Sequence, residues 1–464
     1  MSKLSYLILF IGVATVSGLR SYDGYKVYQI EPKNENEVNV LTEVQDSGIG
    51  EFWEDYFDVD HKVRIMVSGD KQGVFLGKMK DANIEVVETI SDVEKAVRNQ
   101  MRPAIARNAS NSEPFYGLTW DRYHNLATIN AWLDRLVAAY PDIVSSVVMG
   151  YSVENREIKG IRINYKPNRN NNTNYIGILE GTLHSREWIC PATVTWIIKE
   201  FLTSTDPAVR AMAEDLDWHI FPVVNPDGYE YTFNTHRMWR KNRSPENFKS
   251  CAPYGEPDDM SHGVDLNRNF DFAWLSVGAS NNSCSITYAG PTAFSEPESR
   301  AIAQYVLNLN QQGRLIYYLA FHSYTQLIVI PYSNVRGHEV LQNRNYADMY
   351  EIAKRGADAV SRRFGTSYRV GVAADVLYPM SGSSFDWVKL VTDIPVSYLV
   401  ELRDMGEYGF LLPPEQIIPN NLEIMDGIIE MDRTTRILGY YSAGVANVLS
   451  VVLLAFSGLV CLLF

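Results

Sequence analysis

A histidine and a glutamate three positions apart, His184 and Glu187, are the pair in this chain best suited to bind a metal. They follow the apolar run Tyr175–Leu179 and a turn-forming Glu-Gly-Thr, so we expect them on a loop at the end of a buried strand. Imidazole and carboxylate are both zinc ligands, and a catalytic zinc keeps three protein ligands and an open position. Without further ligands, an H-x-x-E pattern is more often a coincidence of surface residues.

A third candidate ligand, His322, follows the apolar run Leu315–Ala320 far downstream. By itself it would be a core histidine. Glu401 lies inside the strand-like segment Val396–Leu402. A carboxylate there is costly unless it is paired or functional, and burial raises its pKa toward the range of a general base.

Two arginine-bearing segments lie between these candidates. One is Trp239-Arg-Lys-Asn-Arg243, and the other is Asp265-Leu-Asn-Arg-Asn-Phe-Asp271. Guanidinium groups bind a carboxylate or a developing oxyanion well. Each arginine alone would be interpreted as part of a surface ion pair, but the neighbouring Trp239 and Phe270 favour a more buried setting.

Taken together and in this order, the five segments resemble the funnelin metallocarboxypeptidases of the pancreatic A/B subfamily. The resemblance runs from about Phe115 to about Leu438 and extends into the preceding region. It implies an eight-stranded mixed sheet between helices, preceded by a small α+β pro-domain. The alternation of strand and helix patterns independently indicates an α/β fold with its site at strand ends.

The resemblance also implies a role for each matched residue. His184, Glu187 and His322 would bind one zinc ion, Glu401 would be the general base that activates water, and Arg240 would stabilise the oxyanion. Such a site would hydrolyse peptide bonds with the help of a Lewis acid, a proton acceptor and a transition-state charge partner.

Further matched positions imply recognition of a peptide C-terminus. Asn267 and Arg268 would bind the terminal carboxylate, Tyr378 would close over it, and Asp265 would orient a zinc histidine. The positions that would line more distant subsites are Arg186, Ser323, Tyr324 and Phe410.

The residue at the floor of the specificity pocket would be Phe385. An uncharged floor does not offset the desolvation of a substrate lysine or glutamate, so we expect an A-type preference for apolar or aromatic terminal residues. Phe385 is bulky, and Met380 and Leu399 stand where the family carries smaller or more polar residues. A B-type enzyme for basic termini is the alternative that Phe385 disfavours.

Non-enzymatic interpretations receive less support. A surface receptor that binds carboxyl termini without zinc would be indicated by the loss of Glu401 or of a ligand, but every position is filled. No feature indicates a storage protein or an inhibitor-binding decoy. The net charge of −13 and the pI near 5.2 argue against a nucleic-acid partner. We expect a monomer.

The N-terminal region indicates secretion and a zymogen. Residues 1–18 have the pattern of a signal peptide, and 19–107 resemble the family's inhibitory pro-domain and activation linker. Within it Tyr25–Ile30, Val63–Val67 and Glu85–Ile90 are predicted strands, and Ser91-Asp-Val-Glu94 is a predicted capping box before a helix. A trypsin-like protease would cut after Arg107 or Arg98. The alternative is a permanent N-terminal domain.

The catalytic domain would span 108–441 and end with a helix around Ile424–Leu438. The resemblance pairs Cys251 with Cys284. Cys190 follows the zinc motif in an apolar setting, so we expect a buried free thiol. The glycosylation sequons begin at Asn108, Asn171, Asn242 and Asn281, of which Asn242 lies too near Arg240 for a glycan to be expected.

The apolar tail 442–464 favours a GPI-attachment signal at Ser442, Ala443 or Gly444, because no basic residue follows Arg436. A transmembrane tail anchor and a packed soluble terminus are the alternatives. The expected location is therefore the extracellular space or the cell surface.

Overall fold

The N-terminal part of the chain builds its own small sheet. A computed structural model describes residues 18–102, 115, 117–166, 175–245, 251, 262–336, 345–392 and 394–441. The strands are β1 (Lys26–Ile30), β2 (Glu51–Phe52), β3 (Val63–Val67) and β4 (Val87–Ile90), and the helices are α1 (Glu35–Asp46), α2 (Gln72–Asp81) and α3 (Val93–Gln100). The sheet order is β2-β3-β1-β4, and every pair is antiparallel. The predicted α+β pro-domain is confirmed.

The predicted elements of this domain need small corrections. Strand β3 has the predicted bounds, whereas β4 begins at Val87 rather than at Glu85. The predicted capping box is wrong. The carboxylate of Asp92, not the hydroxyl of Ser91, caps α3 by accepting from the Lys95 amide at 2.8 Å. Glu94 does not complete a capping box, because it accepts from the Tyr22 amide at 2.7 Å.

The second sheet has eight strands, as predicted. They are β5 (Val144–Tyr151), β6 (Glu157–Ile163), β7 (Tyr175–Gly181), β8 (Asp217–Phe221), β9 (Arg314–Ser323), β10 (Leu327–Ile330), β11 (Arg369–Val372) and β12 (Val396–Leu402). The order is β11-β10-β12-β9-β7-β8-β6-β5. The four central strands β12, β9, β7 and β8 are parallel, so their carboxyl ends lie along one edge, where an α/β fold places its site.

Nine further helices lie in the described part of this domain. They are α4 (Leu126–Ala139), α5 (Ile189–Thr203), α6 (Pro207–Asp215), α7 (Pro226–Asn234), α8 (Pro297–Gln312), α9 (Tyr346–Phe364), α10 (Ala373–Val376), α11 (Ser384–Val391) and α12 (Ile417–Ile437). Successive strand residues belong to different apolar clusters, with Tyr317 in one and Tyr318 in the other. The sheet is therefore buried between two layers of helices.

The last helix is longer than predicted, because α12 begins at Ile417 rather than near Ile424. Pro419 lies in its first turn, where the missing amide hydrogen costs no intrahelical bond. None of the helices in the described ranges combines the length and apolar character needed to cross a bilayer. Residues 1–17 of the predicted signal peptide, residues 103–114 of the linker with Asn108, the sequon at Asn171 and the tail from Ser442 lie outside the described residues.

The cysteine predictions are confirmed. Cys251 and Cys284 form a disulfide with their Cα atoms 5.6 Å apart. Cys190, in the first turn of α5, is a buried free thiol.

Candidate active site

The three predicted zinc ligands come together at the ends of neighbouring parallel strands. His184 and Glu187 lie on the loop that follows β7, and His322 lies near the end of β9. His184 Nδ1 is 2.8 Å from Glu187 Oε1, and His322 Nδ1 is 3.2 Å from Glu187 Oε2 and 3.1 Å from His184 Nδ1. All three side chains are buried, and their donor atoms converge within 4.8 Å.

This donor set fits one zinc ion. Two imidazole nitrogens face each other at 3.1 Å beside a carboxylate, and together these three groups can bind one cation. Two nitrogens and one oxygen are ligands that zinc accepts in catalytic sites, and carboxypeptidase A is a known example of this His2Glu set. When bound, zinc supplies a Lewis acid that polarises a carbonyl group and acidifies water.

Asp265 connects the ligand site to the rest of the cleft. Its Oδ1 accepts from His184 Nε2 at 3.1 Å and from the Asn267 amide at 2.9 Å, and its Oδ2 is 2.8 Å from Arg240 Nη2. Burial alone would raise the pKa of Asp265, but the charges of Arg240 and His184 outweigh it and hold that pKa well below its usual range. The fixed carboxylate therefore sets both the ring orientation of His184 and the position of Arg240.

Glu401 lies next to the ligands, because it pairs with His322 in the register of β12 and β9. Desolvation and then the negative charge of Glu187 raise the pKa of the Glu401 carboxyl. Its Oε2 has no hydrogen-bond partner among the described residues. A carboxylate with a raised pKa and a free oxygen is suited to accept a proton from water.

Three side chains that were predicted to bind a terminal carboxylate form one group. Arg268 Nη2 is 3.2 Å from the Tyr378 hydroxyl, and Arg268 Nε donates to the Gly278 carbonyl at 2.7 Å. Asn267 precedes Arg268 on a short 3-10 turn, and its Oδ1 accepts from the Ser384 amide at 3.0 Å. We call Asn267, Arg268 and Tyr378 the carboxylate clamp.

A carboxylate from the pro-domain already lies in this clamp. Asp55 Oδ2 is 2.5 Å from Arg240 Nη2, 3.2 Å from Arg268 Nη2 and 2.8 Å from the Tyr378 hydroxyl. Asp55 is nearly fully buried in this position. It therefore occupies the group of residues that a peptide's terminal carboxylate and oxyanion would need.

Asp55 was not among the residues predicted from the sequence. It lies in an irregular segment after β2, where no strand or helix pattern marks it. The only signal was composition, because Glu51-Phe-Trp-Glu-Asp-Tyr-Phe-Asp58 alternates acidic and aromatic residues.

Three of the four residues predicted to line distant subsites contact the same pro-domain segment, and they are Arg186, Tyr324 and Phe410. Arg186 Nη2 donates to the Trp53 carbonyl at 2.7 Å, and its guanidinium lies 4.0 Å from the centre of the Phe410 ring. The Tyr324 hydroxyl donates to Glu54 Oε1 at 2.7 Å. Ser323 ends β9 beside His322. The segment from Trp53 to Asp55 thus covers the cleft from the clamp outward.

The predicted pocket residues lie in one apolar cluster. Phe385 is fully buried in the first turn of α11, and Leu399 lies on β12. Met380 Sδ is 3.9 Å from Arg268 Nη1, so this side chain lies directly beside the clamp. The neighbouring carboxylate, Asp386, accepts from Ser383 Oγ and from the Tyr332 and Ser333 amides, and burial raises its pKa to about 6.

The two sequons in the described part of the catalytic domain have opposite surroundings. Asn242 is fully buried, and its Nδ2 donates to Glu296 at 2.7 Å and to Glu298 at 3.0 Å. Its Oδ1 accepts from the Val264 amide at 2.8 Å. Asn281 is exposed. The expectation that Asn242 carries no glycan agrees with this geometry.

Comparisons with known proteins agree with this architecture. Residues 28–100 match the carboxypeptidase activation peptide family, and residues 129–427 match the zinc carboxypeptidase family. The chain is 39% identical to zinc carboxypeptidase A 1 of Anopheles gambiae, with 90% of this chain and 92% of that protein covered. It is 33% identical to carboxypeptidase B of Bos taurus, with 91% and 96% covered.

Solved structures give the same result for the fold. The structure of thrombin activatable fibrinolysis inhibitor superposes with a TM-score of 0.78 at 28% identity, covering 88% of this chain and 98% of that one. The carboxypeptidase A of Helicoverpa armigera gives a TM-score of 0.75 at 28% identity, with 90% and 99% covered. Because the family match spans the sheet with its converging ligands, and the activation-peptide match spans the smaller sheet, this chain belongs to the zinc carboxypeptidases as a zymogen with its own activation peptide.

Proposed function

We propose that the activated enzyme releases single apolar residues from peptide C-termini. The observation that carries this proposal is the apolar character of the predicted pocket residues. Met380, Phe385 and Leu399 belong to one buried cluster, and Met380 contacts Arg268 of the clamp. Because Met380 contacts Arg268, a terminal residue whose carboxylate binds Arg268 would lie close to this apolar side chain. Apolar surroundings favour an apolar terminal side chain, since desolvating a charged one there is costly.

Each residue of the cleft has a separate role in the proposed reaction. The clamp orients the substrate by its terminal carboxylate, which makes the enzyme an exopeptidase. Glu401 accepts a proton from the attacking water and returns it to the leaving amine. Arg240 stabilises the charge that develops on the carbonyl oxygen, and Asp265 holds Arg240 in place.

A B-type preference for basic termini would require a carboxylate that faces the terminal side chain. Asp386 follows Phe385, but amide and hydroxyl donors already bind both of its oxygens. A substrate cation would have to replace these bonds. The relatives include enzymes named for both the A and the B type, so the preference rests on the pocket residues of this chain.

The pro-domain would keep the zymogen inactive by occupying the clamp with Asp55. Activation would cut the linker after Arg98 or Arg107. Arg98 lies in the last turn of α3 and pairs with Glu94 at 2.8 Å, so a protease must first unwind that turn. Arg107 lies outside the described residues, and we favour it because it lies beyond the helix.

We also propose that the chain is secreted and held at the cell surface through its C-terminal tail. The signal-like residues 1–18 and the uncharged apolar end after Ser442 support this. Release of the protein from cells by phosphatidylinositol-specific phospholipase C would support a GPI anchor. Retention after that treatment would favour a tail anchor.

The decisive experiment uses protein truncated before Ser442 and treated with trypsin. It is offered peptides that differ only in their last residue, which is Phe, Leu, Lys or Glu. We expect release of Phe or Leu, and loss of activity with a chelator. Preferred release of Lys would overturn the A-type assignment, and zinc-loaded protein that releases nothing would favour a carboxyl-terminus-binding protein.

A further inference from the structure

A buried carboxylate that no step above uses lies behind the clamp. Glu180 is the penultimate residue of β7 and is almost fully buried. Its Oε1 accepts from the Tyr318 hydroxyl at 2.7 Å and from Ser384 Oγ at 3.0 Å. Its Oε2 has no hydrogen-bond partner among the described residues. A buried carboxylate without a cation destabilises the fold, so its presence at this point calls for an explanation.

The second partner, Ser384, connects Glu180 to the clamp. Ser384 is the first residue of α11, and its amide is one of the helix N-terminal donors that lack an intrahelical partner. That amide donates to Asn267 Oδ1 at 3.0 Å. With its oxygen engaged in this way, the Asn267 side chain has its Nδ2 available as a donor, and no partner for Nδ2 occurs among the described residues.

The start of α11 is also fixed to the segment that carries Arg268. The Phe270 amide donates to the Gly382 carbonyl at 3.0 Å, and the Gly382 amide donates to the Phe272 carbonyl at 2.8 Å. A Cβ atom on Gly382 would lie 2.2 Å from the Arg268 carbonyl oxygen, so only glycine permits this approach. The backbone at Gly382 therefore packs closely against the segment that carries Arg268. Glu180 binds the side chain of Ser384, two residues later.

We propose that Glu180 is a positioning residue for recognition of the substrate carboxylate, acting through Ser384 on the side-chain amide of Asn267. By accepting a hydrogen bond from the Ser384 hydroxyl, Glu180 fixes the first turn of α11. The Ser384 amide then orients Asn267 so that its Nδ2 points toward a bound carboxylate. The same turn carries Phe385, so Glu180 holds one element that contributes to both the clamp and the pocket floor.

The contacts of Glu180 need an acceptor oxygen rather than a negative charge. Both of its bonds use Oε1, which the amide oxygen of glutamine can replace. Glu180→Gln should therefore preserve the arrangement, whereas Glu180→Leu removes the acceptor at similar volume. Burial raises the pKa of the Glu180 carboxyl, which agrees with a role that does not depend on its ionisation.

The inference rests on the proposed clamp, and it is tested with two readouts on the full chain after cleavage by trypsin. The first is KM and kcat for a peptide that ends in Leu. The second is the dissociation constant of 3-phenylpropionate measured by calorimetry, which needs no turnover. For Glu180→Leu we expect both KM and the dissociation constant to rise about tenfold, with kcat within about twofold and the zinc content unchanged. Glu180→Gln should match the wild type.

Tyr318→Phe is the matched control, because it removes the other partner of Glu180 and leaves the bond to Ser384. Its KM should stay within about twofold of the wild type. Unchanged KM in Glu180→Leu, or an equal rise in Tyr318→Phe, would overturn the inference. If Glu180→Leu fails to fold, Ser384→Ala replaces it, with a smaller rise of about threefold expected and unchanged KM as the contradicting result. Wild-type protein that binds 3-phenylpropionate but releases no residue would contradict the proposed function and leave the binding readout as the test of Glu180.

Discussion

The catalytic domain and the pro-domain each present a carboxylate to Arg240, but they hold it differently. Asp265 belongs to the catalytic domain and also binds His184 and the Asn267 amide. Asp55 comes from the pro-domain and also contacts Arg268 and Tyr378. Asp265 therefore positions residues of the site, whereas Asp55 occupies the space between Arg240, Arg268 and Tyr378.

This difference indicates how the zymogen is kept inactive. The candidate ligands, Glu401 and the clamp are already assembled beneath the pro-domain, so the proposed activation requires removal of the pro-domain segment rather than rearrangement of the cleft. Changes to the catalytic domain should therefore alter the cleaved enzyme. Changes to Asp55 should alter only the uncleaved one.

The largest expected effect is that of Glu401→Gln in the cleaved enzyme. Because the amide cannot accept a proton from water, kcat/KM should fall about a thousandfold. The zinc content, measured by atomic absorption, should be unchanged, since Glu401 is not among the converging ligands. Activity within tenfold of the wild type would mean that another group is the base.

The second test weakens the contact between the pro-domain and the cleft without changing a residue of the cleft. Asp55→Asn in the uncleaved chain removes a buried charge that faces three arginines, and losing one partner of a buried pair costs about 3 kcal/mol or more. Turnover of a small substrate by the zymogen should rise about a hundredfold. Asp58→Asn, in the same loop but bonded to Tyr56 and the Val59 amide, should leave the zymogen inactive. An inactive Asp55→Asn zymogen would show that the other contacts suffice.

The third test concerns the support behind Arg240. Glu298 binds Asn242, two residues after Arg240, and burial raises the pKa of Glu298 from 4.5 to about 7. Because the folded state binds this proton more tightly, stability is fully present below about pH 4.5 and is lost as the pH rises through 7. From pH 5 to pH 8 the loss is about 2–3 kcal/mol.

This pH dependence is measured by urea unfolding at the two pH values. In Glu298→Gln the fall in the free energy of unfolding should be smaller by that amount, whatever the absolute stability of the variant. The same fall in both proteins would contradict the assignment. Since Asn242 belongs to the catalytic domain, cleavage of the linker should not change the result.

The smallest expected effect is that of Asp265→Asn on zinc affinity. The amide oxygen can still accept from His184, so the affinity should fall about tenfold, at the low end for a residue that supports a ligand. In the zymogen Arg240 keeps Asp55 as a partner, so the loss should be smaller before cleavage than after it. Competition with a chromophoric chelator measures both states. Equal losses would mean that Asp55 does not support the site.

The strand-borne part of the site could be predicted from the sequence. The apolar runs before His184 and around His322 and Glu401 indicate buried strands, and parallel strands bring their carboxyl ends together. Asp55 could not be predicted in this way. Its position depends on how two domains dock, and neither periodicity nor turn residues encode that.

Local competition explains the other differences. The carboxylate of Glu94 was expected to complete a capping box at α3, but it accepts from the amide of Tyr22, which lies before β1. Glu180 and Ser384 have no recognisable spacing, because they become neighbours only when α11 docks beside β7. Such pairings depend on tertiary packing and are not visible in local patterns.

The enclosure of Asn242 has a consequence for how the chain matures. Its sequon is usable by a glycan-transferring enzyme only while this region is still unfolded, because the folded protein buries the acceptor nitrogen between two glutamates. A sugar attached there would prevent the segment after Arg240 from closing. In a secretory compartment, the yield of correctly folded zymogen is therefore expected to depend on whether this segment closes before a sugar is transferred to Asn242.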